Sequence, residues 1–236
     1  EGGRFVRYSE KLAFDVGGNS SLTAELRTAV RKNQFELHYQ PRIDLASGHL
    51  AGLEALLRWN HPKRGLLLPF DFMSACEDMG LMKAIGYQVI QHACNAQIWL
   101  EEQNMQHVDV AVNVSFSQIE DDPFVEIVKD IIVRSGANGS KIEFELTEST
   151  ILQSSVEIKS RMNELRELGI SFSLDDFGTG FSQLNHLTEL PISALKIDAC
   201  FVRDLPHNEN QEAVCCMIIE MGRRLGLVVV AEGAET

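Results

Sequence analysis

Short strand-like runs alternate with helical patterns along most of this chain, and this alternation restricts the folds that the chain can adopt. The strand-like runs lie at residues 35–40, 50–59, 108–114, 142–146, 171–175, 194–197 and 228–231. Helical patterns lie between most of them, at residues 82–102, 123–134, 155–168 and 209–225. Strands and helices that alternate across short loops predict a mostly parallel sheet covered by helices. The runs are one strand short of a closed eight-stranded barrel, so an open doubly wound sheet is the alternative.

The composition is that of a globular protein without a surface for polyanions. Of 236 residues, 44% are hydrophobic and 23% are charged, and the formal net charge is −13. Because phosphate backbones attract Lys and Arg, this charge argues against binding of a DNA or RNA duplex or of an anionic membrane. No apolar run is long enough to span a bilayer, so we expect a cytoplasmic domain, although its full-length parent can be tethered to the inner membrane. The five cysteines lack metal-ligand spacing and predict reduced thiols.

Within four of the predicted strands, apolar and polar side chains alternate, and a polar residue falls near the C-terminal end of each. Asn113 follows three valines of the opposite parity, and Glu145, Asp175 and Lys196 occupy corresponding positions in three later strands. Side chains of a strand alternate in direction, so the apolar set can face the helices while the polar set faces inward. In an α/β barrel, the C-terminal ends of the strands meet at one mouth, where catalytic groups gather.

A group of mostly acidic residues is predicted to share that mouth: Glu54, Asn113, Glu145, Asp175, Asp176, Lys196, Asp198 and Glu232. So many carboxylates in one cleft repel one another unless cations bind among them. Apart from Lys196 the group offers oxygen ligands and no His or Cys, a set that fits Mg²⁺ or Mn²⁺. The adjacent Asp175 and Asp176 could bridge two ions, and a pair of ions suits phosphoryl transfer.

Six motifs, in the same order, resemble those of the EAL-domain phosphodiesterases, which act on the bacterial second messenger cyclic di-GMP. They are Glu54-Ala55-Leu56 followed by Leu57-Arg58-Trp59, Val112-Asn113-Val114-Ser115, Glu145-Leu146-Thr147-Glu148, Asp175-Asp176-Phe177-Gly178-Thr179-Gly180, Lys196-Ile197-Asp198 and Ala231-Glu232-Gly233-Ala234-Glu235-Thr236. The resemblance covers residues 21–236. It implies a modified TIM (β/α)₈ barrel with an antiparallel first strand, and it implies that the last strand and helix are missing from this chain.

The resemblance also implies an activity, the hydrolysis of cyclic di-GMP to linear pGpG with two Mg²⁺ or Mn²⁺ ions. One ion would be held by Glu54, Asn113, Glu145 and Asp175. Asp175 would bridge to a second ion held by Asp176. Lys196 would orient the attacking water, and Glu232 would act either as a base or as a water-mediated ligand of the second ion. Glu54, Lys196 and Glu232 form the expected catalytic set.

Further residues match family positions that meet the substrate or support the site. Arg58 would meet a substrate phosphate, with Gln40 and Leu56 beside the guanine and ribose, and Asp198 would complete the substrate contacts. Glu148 would brace the loop 176–181 from below.

Two expectations concern the rest of the protein. Residues 1–20 are predicted to be a linker or the tail of an upstream domain, since residues 3–8 resemble the last strand of a diguanylate cyclase (GGDEF) domain. The full-length protein would then carry an upstream sensory or GGDEF domain.

The resemblance further implies a homodimer that pairs through the loop 176–181 and the helix after Asp198. A stripe on helix 209–225 adds apolar surface for it, formed by Ala213, Val214, Met217, Ile218 and Met221. The alternative function is a catalytically silent receptor or regulatory module that binds cyclic di-GMP without cleaving it. Retention of every predicted metal ligand favours the active enzyme.

Overall fold

The computed structural model describes residues 22–148, 155–179, 187, 189–205 and 207–234. Its strands are β1 (Phe35–Ile43), β2 (Leu50–His61), β3 (Gly65–Leu67), β4 (Asp109–Asn113), β5 (Ile142–Thr147), β6 (Ser171–Phe177), β7 (Ala194–Ile197) and β8 (Val228–Ala231). Its helices are α1 (22–31), α2 (Met73–Asp78), α3 (Met82–Glu102), α4 (Phe116–Ile119), α5 (Phe124–Ser135), α6 (Val156–Glu167), α7 (Ala199–Val202) and α8 (Glu209–Leu225). The predicted linker 1–20 and the part of the loop 176–181 after residue 179 lie outside the described residues.

The strands follow one another in the sheet in chain order. The order is β1-β2-β4-β5-β6-β7-β8, with the short β3 paired to β2. β1 runs antiparallel to β2, and each later pair along that path is parallel. A doubly wound sheet reverses its strand order at a switch point. This sheet does not reverse within the described residues, so it curls as part of a barrel, and the doubly wound alternative is wrong. The predicted antiparallel first strand is confirmed.

The convex face of the sheet carries the core. Val110, Val112, Phe144, Phe172 and Leu174 are fully or almost fully buried. They occupy the apolar parity of β4, β5 and β6, which the alternation assigned to the helix-covered side. The predicted division of each strand into a helix-facing and an inward-facing set is therefore confirmed.

The two long helices agree with their sequence patterns. α3 and α8 have the predicted bounds. α8 begins where the side chain of Asn208 accepts hydrogen bonds from two backbone N–H groups, and it ends at Gly226, which has a φ of 71°. Both are standard ends of a helix, because Asn satisfies free donors and Gly adopts the left-handed conformation without strain.

The apolar stripe of α8 divides between the core and the surface. Ile218 is 1% exposed and packs in the core, whereas Met217 is 64% exposed.

All five cysteines are free thiols, as predicted. Among the described residues, no helix combines the length and hydropathy needed to cross a membrane.

Candidate active site

The concave face brings the predicted acidic residues together at the carboxyl ends of the strands. Glu54 lies on β2, Glu145 on β5, and Lys196 on β7, while Asn113 is the last residue of β4. Asn113 pairs with Glu145 in the register of β4 and β5. Asp175 and Asp176 come near the end of β6, and Glu232 directly follows β8. We call this group, with Lys196 at its centre, the acidic cluster.

Lys196 lies at the centre of the acidic cluster, and its side chain is completely buried. Its Nζ is 2.6 Å from Glu232 Oε1, 3.0 Å from Glu145 Oε2, 3.1 Å from Asp175 Oδ1 and 3.3 Å from Glu54 Oε2. Burial by itself lowers the pKa of Lys196, but the charges of these carboxylates outweigh it and raise the pKa above its ordinary value. Lys196 therefore stays charged and partly neutralises the cluster.

Glu145 is the most deeply buried acid of the cluster, with 1% of the residue exposed. Its Oε2 accepts a hydrogen bond from Asn113 Nδ2 at 3.3 Å and contacts Lys196. Its Oε1 has no hydrogen-bond partner among the described residues. Burial, reinforced by the charges of Glu54 and Asp175, raises the pKa of Glu145 to about 8 although Lys196 opposes the shift. A buried carboxylate oxygen without a partner is a position that a cation can satisfy.

Asp175, Asp176 and Glu232 form a second subgroup, because one carboxylate oxygen from each lies within 4.8 Å of the others. Successive strand residues normally point to opposite faces. Asp176 departs from this rule with a φ of 55°, at an irregularity in the pairing of β6 with β7. Burial and the charge of Asp175 raise the pKa of Asp176 to about 6. Burial is also the main reason that the pKa of Glu232 rises to about 7, against the opposing effect of Lys196.

These donors fit a pair of hard divalent cations. The ligand set consists of carboxylate and amide oxygens, which Mg²⁺ and Mn²⁺ prefer. Asp175 belongs both to the group around Lys196 and to the subgroup with Asp176 and Glu232. Lys196 contacts four carboxylates but carries one positive charge, so it does not balance the negative charge of the cluster. Additional cations would remove this imbalance.

The residues predicted to meet the substrate lie on the same part of the sheet. Gln40 pairs with Glu54 in the antiparallel register of β1 and β2. Leu56 and Arg58 share the parity of Glu54 and therefore its face of the strand. Arg58 is partly buried and donates a hydrogen bond to the carbonyl oxygen of Leu57 at 2.8 Å. All three positions therefore lie on the face of the sheet that carries Glu54.

Glu148 directly follows β5, and Asp198 directly follows β7. Glu148 is 5% exposed, and its Oε2 accepts a hydrogen bond from the backbone N–H of Gly178 at 3.4 Å. This contact reaches the segment that follows Asp176. Asp198 accepts a hydrogen bond from the N–H of Cys200 at 2.7 Å. A hydrogen bond from the side chain of Cys200, together with this backbone bond and a further one from Asp176, keeps the pKa of Asp198 below its ordinary value.

A second polar layer, which the sequence pattern did not predict, lies beneath the cluster. Arg42 Nη1 lies 2.6 Å from Glu143 Oε1, and Ser173 Oγ donates a hydrogen bond to the same oxygen at 3.0 Å. Glu143 and Ser173 share the inward parity of Glu145 and Asp175, so the alternation could have revealed them. Arg42 gave no signal, because β1 extends beyond its predicted end at residue 40.

Fold and site together define a class of protein. Its members have a curled α/β sheet, with an acidic site centred on a lysine at the carboxyl ends of the parallel strands. The sequence model of the EAL domain matches residues 23–236. The chain therefore belongs to the EAL-domain family.

Relatives with assigned names share this region. MucR of Pseudomonas aeruginosa, a bifunctional diguanylate cyclase/cyclic di-GMP phosphodiesterase, is 38% identical over 91% of this chain and 31% of its own length. NbdA of the same species, a cyclic di-GMP phosphodiesterase, is 37% identical over 97% of this chain and 29% of its own length. A solved structure of the MucR phosphodiesterase in complex with c-di-GMP has a TM-score of 0.85 at 38% identity, covering 92% of this chain and 87% of that one. The chain thus spans less than a third of those two full-length relatives.

Proposed function

We propose that this domain hydrolyses cyclic di-GMP to linear pGpG with the aid of Mg²⁺ or Mn²⁺. The observation that carries the proposal is the complete acidic cluster, in which Asp175, Asp176 and Glu232 converge within 4.8 Å while Glu145 keeps one buried oxygen without a hydrogen bond. The named relatives MucR and NbdA support the choice of substrate.

The cluster divides into two proposed metal positions. Glu54, Asn113, Glu145 and Asp175 would hold one ion, and Asp176 would hold the second, with Asp175 shared between them. Bound ions of this kind neutralise the phosphate oxygens and supply hydroxide near neutral pH. The carboxylates of this chain contribute by fixing the two positions on neighbouring strands of one rigid sheet.

Lys196 is proposed to orient the attacking water, and Glu232 is proposed to act on the same water. Their side chains lie 2.6 Å apart, so they can contact the same water molecule. Water adds to a phosphodiester phosphorus, the bond from phosphorus to the leaving sugar oxygen breaks, and that oxygen takes up a proton. Glu232 would accept the proton of the water or hold the second ion through water. Glu232→Gln separates these roles, because a lost base lowers turnover alone whereas a lost ligand also weakens metal binding.

Arg58, Gln40, Leu56 and Asp198 are proposed to contact the substrate. Arg58 supplies a cation on the face of β2 that carries Glu54, and a phosphate of the substrate would need a positive partner. Gln40 and Leu56 offer an amide and an apolar surface to the guanine and ribose. These contacts would orient the scissile phosphate relative to the cluster.

The setting of the domain in its parent protein is also a proposal. We propose that residues 1–20 connect the EAL domain to an upstream sensory or GGDEF domain, as the bifunctional name of MucR suggests for that relative. We further propose that the domain works in the cytoplasm, where cyclic di-GMP acts as a messenger.

Incubation of the purified protein with cyclic di-GMP and Mg²⁺ tests the proposed reaction directly. We expect a product with the chromatographic retention and mass of pGpG, and we expect none in EDTA. Binding of cyclic di-GMP without product would instead identify a silent receptor.

The choice of metal provides a second test. We expect Mg²⁺ and Mn²⁺ to support turnover and Ca²⁺ to bind without supporting it. Ca²⁺ prefers longer bonds and more ligands, which would misplace the attacking water. Equal turnover with Ca²⁺ and Mg²⁺ would contradict the two-ion arrangement.

A further inference from the structure

The polar layer beneath the acidic cluster has no role in the reaction as proposed. We call it the lower layer and define it by Arg42, Gly52, Glu143 and Ser173. The side chains of Arg42 and Glu143 are 14% and 11% exposed, so both charges are largely removed from water. An ion pair in such a place persists only if its geometry and its remaining hydrogen bonds are good. The 2.6 Å contact between the two side chains and the hydrogen bond from Ser173 meet that condition.

Arg42 connects the lower layer to the acidic cluster through Glu145. Its Nη1 lies 3.7 Å from Glu145 Oε1, the oxygen without a hydrogen-bond partner among the described residues. Asn113 and Lys196 hold the other oxygen of that carboxylate at 3.3 and 3.0 Å. A separation of 3.7 Å is too long for a hydrogen bond, but the charge attraction still orients the carboxylate. The lone pairs of Oε1 therefore remain available to an incoming cation.

Gly52 provides the space in which the guanidinium of Arg42 lies. The two residues are paired directly across β1 and β2. A Cβ atom at position 52 would lie 2.7 Å from Nη2 and 2.8 Å from Nε of Arg42. Any side chain at this position would displace the guanidinium. The position of Arg42 can thus be changed without changing its charge.

We propose that Arg42 is a positioning residue that orients Glu145 for metal binding. It fixes the carboxylate from below, with Glu143 and Ser173 holding Arg42 in turn. The inference rests on the proposed function, because it takes Glu145 to be a metal ligand. Residues that orient a ligand through a second contact typically change metal affinity by 10–100-fold when they are removed.

Calorimetric titration with Mn²⁺ tests this role without measuring turnover. We expect Arg42→Met and Gly52→Ala to bind Mn²⁺ roughly 10–100-fold more weakly than the wild-type protein. Arg42→Lys, which keeps the charge, should recover part of the loss.

A matched control is Arg161→Met. Arg161 also forms an ion pair, with Asp122, and it donates a hydrogen bond to the carbonyl oxygen of Ile119 at 2.8 Å. None of these residues belongs to the acidic cluster or the lower layer. Mn²⁺ affinity should therefore be unchanged in Arg161→Met.

Unchanged Mn²⁺ affinity in Arg42→Met would overturn the proposal, as would an equal loss in Arg161→Met. If Arg42→Met does not fold, Gly52→Ala decides the matter by the same criterion.

Failure of the wild-type protein to bind Mn²⁺ would instead contradict the proposed function. In that case a double-mutant cycle of Arg42→Met and Glu145→Gln, measured as unfolding free energy in EDTA, tests the contact itself. The absence of coupling between the two changes would show that Arg42 does not orient Glu145.

Discussion

The concave face of the sheet contains two polar layers that differ in how their buried negative charge is balanced. In the lower layer, the charge of Glu143 is matched by Arg42, and Ser173 satisfies a further lone pair. In the acidic cluster above it, a single Lys196 contacts four carboxylates. The lower layer is balanced by its own residues, whereas the cluster is left with excess negative charge.

The comparison distinguishes a polar layer whose charges are balanced within the protein from one that leaves negative charge for incoming cations. A buried ion pair with complete hydrogen bonding needs nothing more from solution. A buried group of acids with raised pKa values favours any cation that can enter. Perturbation of the acidic cluster should therefore change turnover, metal dependence and pH sensitivity, and the following predictions measure these effects.

The largest expected effect is the loss of turnover in Glu54→Ala. Glu54 contacts both Lys196 and Asn113 and is a proposed metal ligand. Removal of a key catalytic interaction lowers activity by at least ~100-fold. Product formation from cyclic di-GMP measures the loss, and circular dichroism confirms the fold. The control is Asp130→Ala, which removes an exposed carboxylate of α5 that pairs with Arg134 at 2.7 Å, outside both layers. Near-normal pGpG production by Glu54→Ala would remove Glu54 from the site.

A smaller effect is expected from Glu148→Ala. Glu148 is a proposed brace and not a ligand, because it accepts a hydrogen bond from the N–H of Gly178 in the segment after Asp176. Loosening of that segment should misplace Asp176, and a misplacement of about 1 Å can reduce rates by up to ~100-fold. We expect turnover to fall and the concentration of Mg²⁺ needed for half-maximal rate to rise. Glu126→Ala, an exposed acid on α5, is the control. Unchanged kinetics and metal dependence in Glu148→Ala would contradict the bracing role.

The excess charge of the acidic cluster should also make the metal-free protein sensitive to pH. The pKa values of Glu145, Glu232 and Asp176 rise to about 8, 7 and 6, from ordinary values of 4.5 for Glu and 3.8 for Asp. The folded state therefore binds more protons than the unfolded state in this range. Stability is then fully present below the ordinary pKa values and is lost as the pH rises through the raised ones.

We accordingly expect the melting temperature in EDTA to fall between about pH 5 and about pH 8. Saturating Mn²⁺ should reduce the fall, because it binds the ionised carboxylates. Glu145→Gln removes one of the three groups and should flatten the curve. A metal-free melting temperature that rises over this range would show that the cluster is not under electrostatic strain.

The smallest expected effect concerns a homodimer, which we predict to form through the loop 176–181 and the helix after Asp198. Met217 is 64% exposed and Ile219 is 50% exposed on α8, so part of its apolar surface is free to meet a second copy. A partner beside the loop could shift Asp176 and thereby tune turnover. Light scattering and activity across a dilution series would measure both. A monomer with constant specific activity at every concentration would exclude the dimer and its control of the loop.

The residues of the acidic cluster could be predicted from the sequence because several of them follow a simple rule. Glu145, Asp175 and Lys196 each sit opposite an apolar set at the end of a strand, so period-two alternation locates them without knowledge of the fold. The alternation of strands and helices indicated a mostly parallel sheet, and the family resemblance implied the barrel with its antiparallel first strand. The choice between a barrel and a doubly wound sheet required knowledge of which distant strands pair, and local patterns do not encode this.

The lower layer was less accessible to sequence reasoning. Arg42 meets Glu143 across 101 positions of the chain, and no local pattern reports so distant a contact. Gly52 looks like an ordinary strand glycine, since its role depends on a guanidinium contributed by the neighbouring strand. Local periodicity predicts which residues face inward. Which residues they contact depends on strand register and on three-dimensional packing.

The left-handed backbone of Asp176 has a consequence for how this protein can change. A residue with a Cβ at a φ of 55° holds backbone strain of order 1–3 kcal/mol, which the surrounding structure must overcome. Gly or Asn adopts this conformation more easily, so either substitution should strengthen the fold while removing a charged ligand from the proposed metal site. A library selected only for heat resistance would therefore accumulate substitutions of Asp176, whereas one selected for turnover would retain the aspartate. At this position, selection for a sturdier fold and selection for chemistry act in opposite directions.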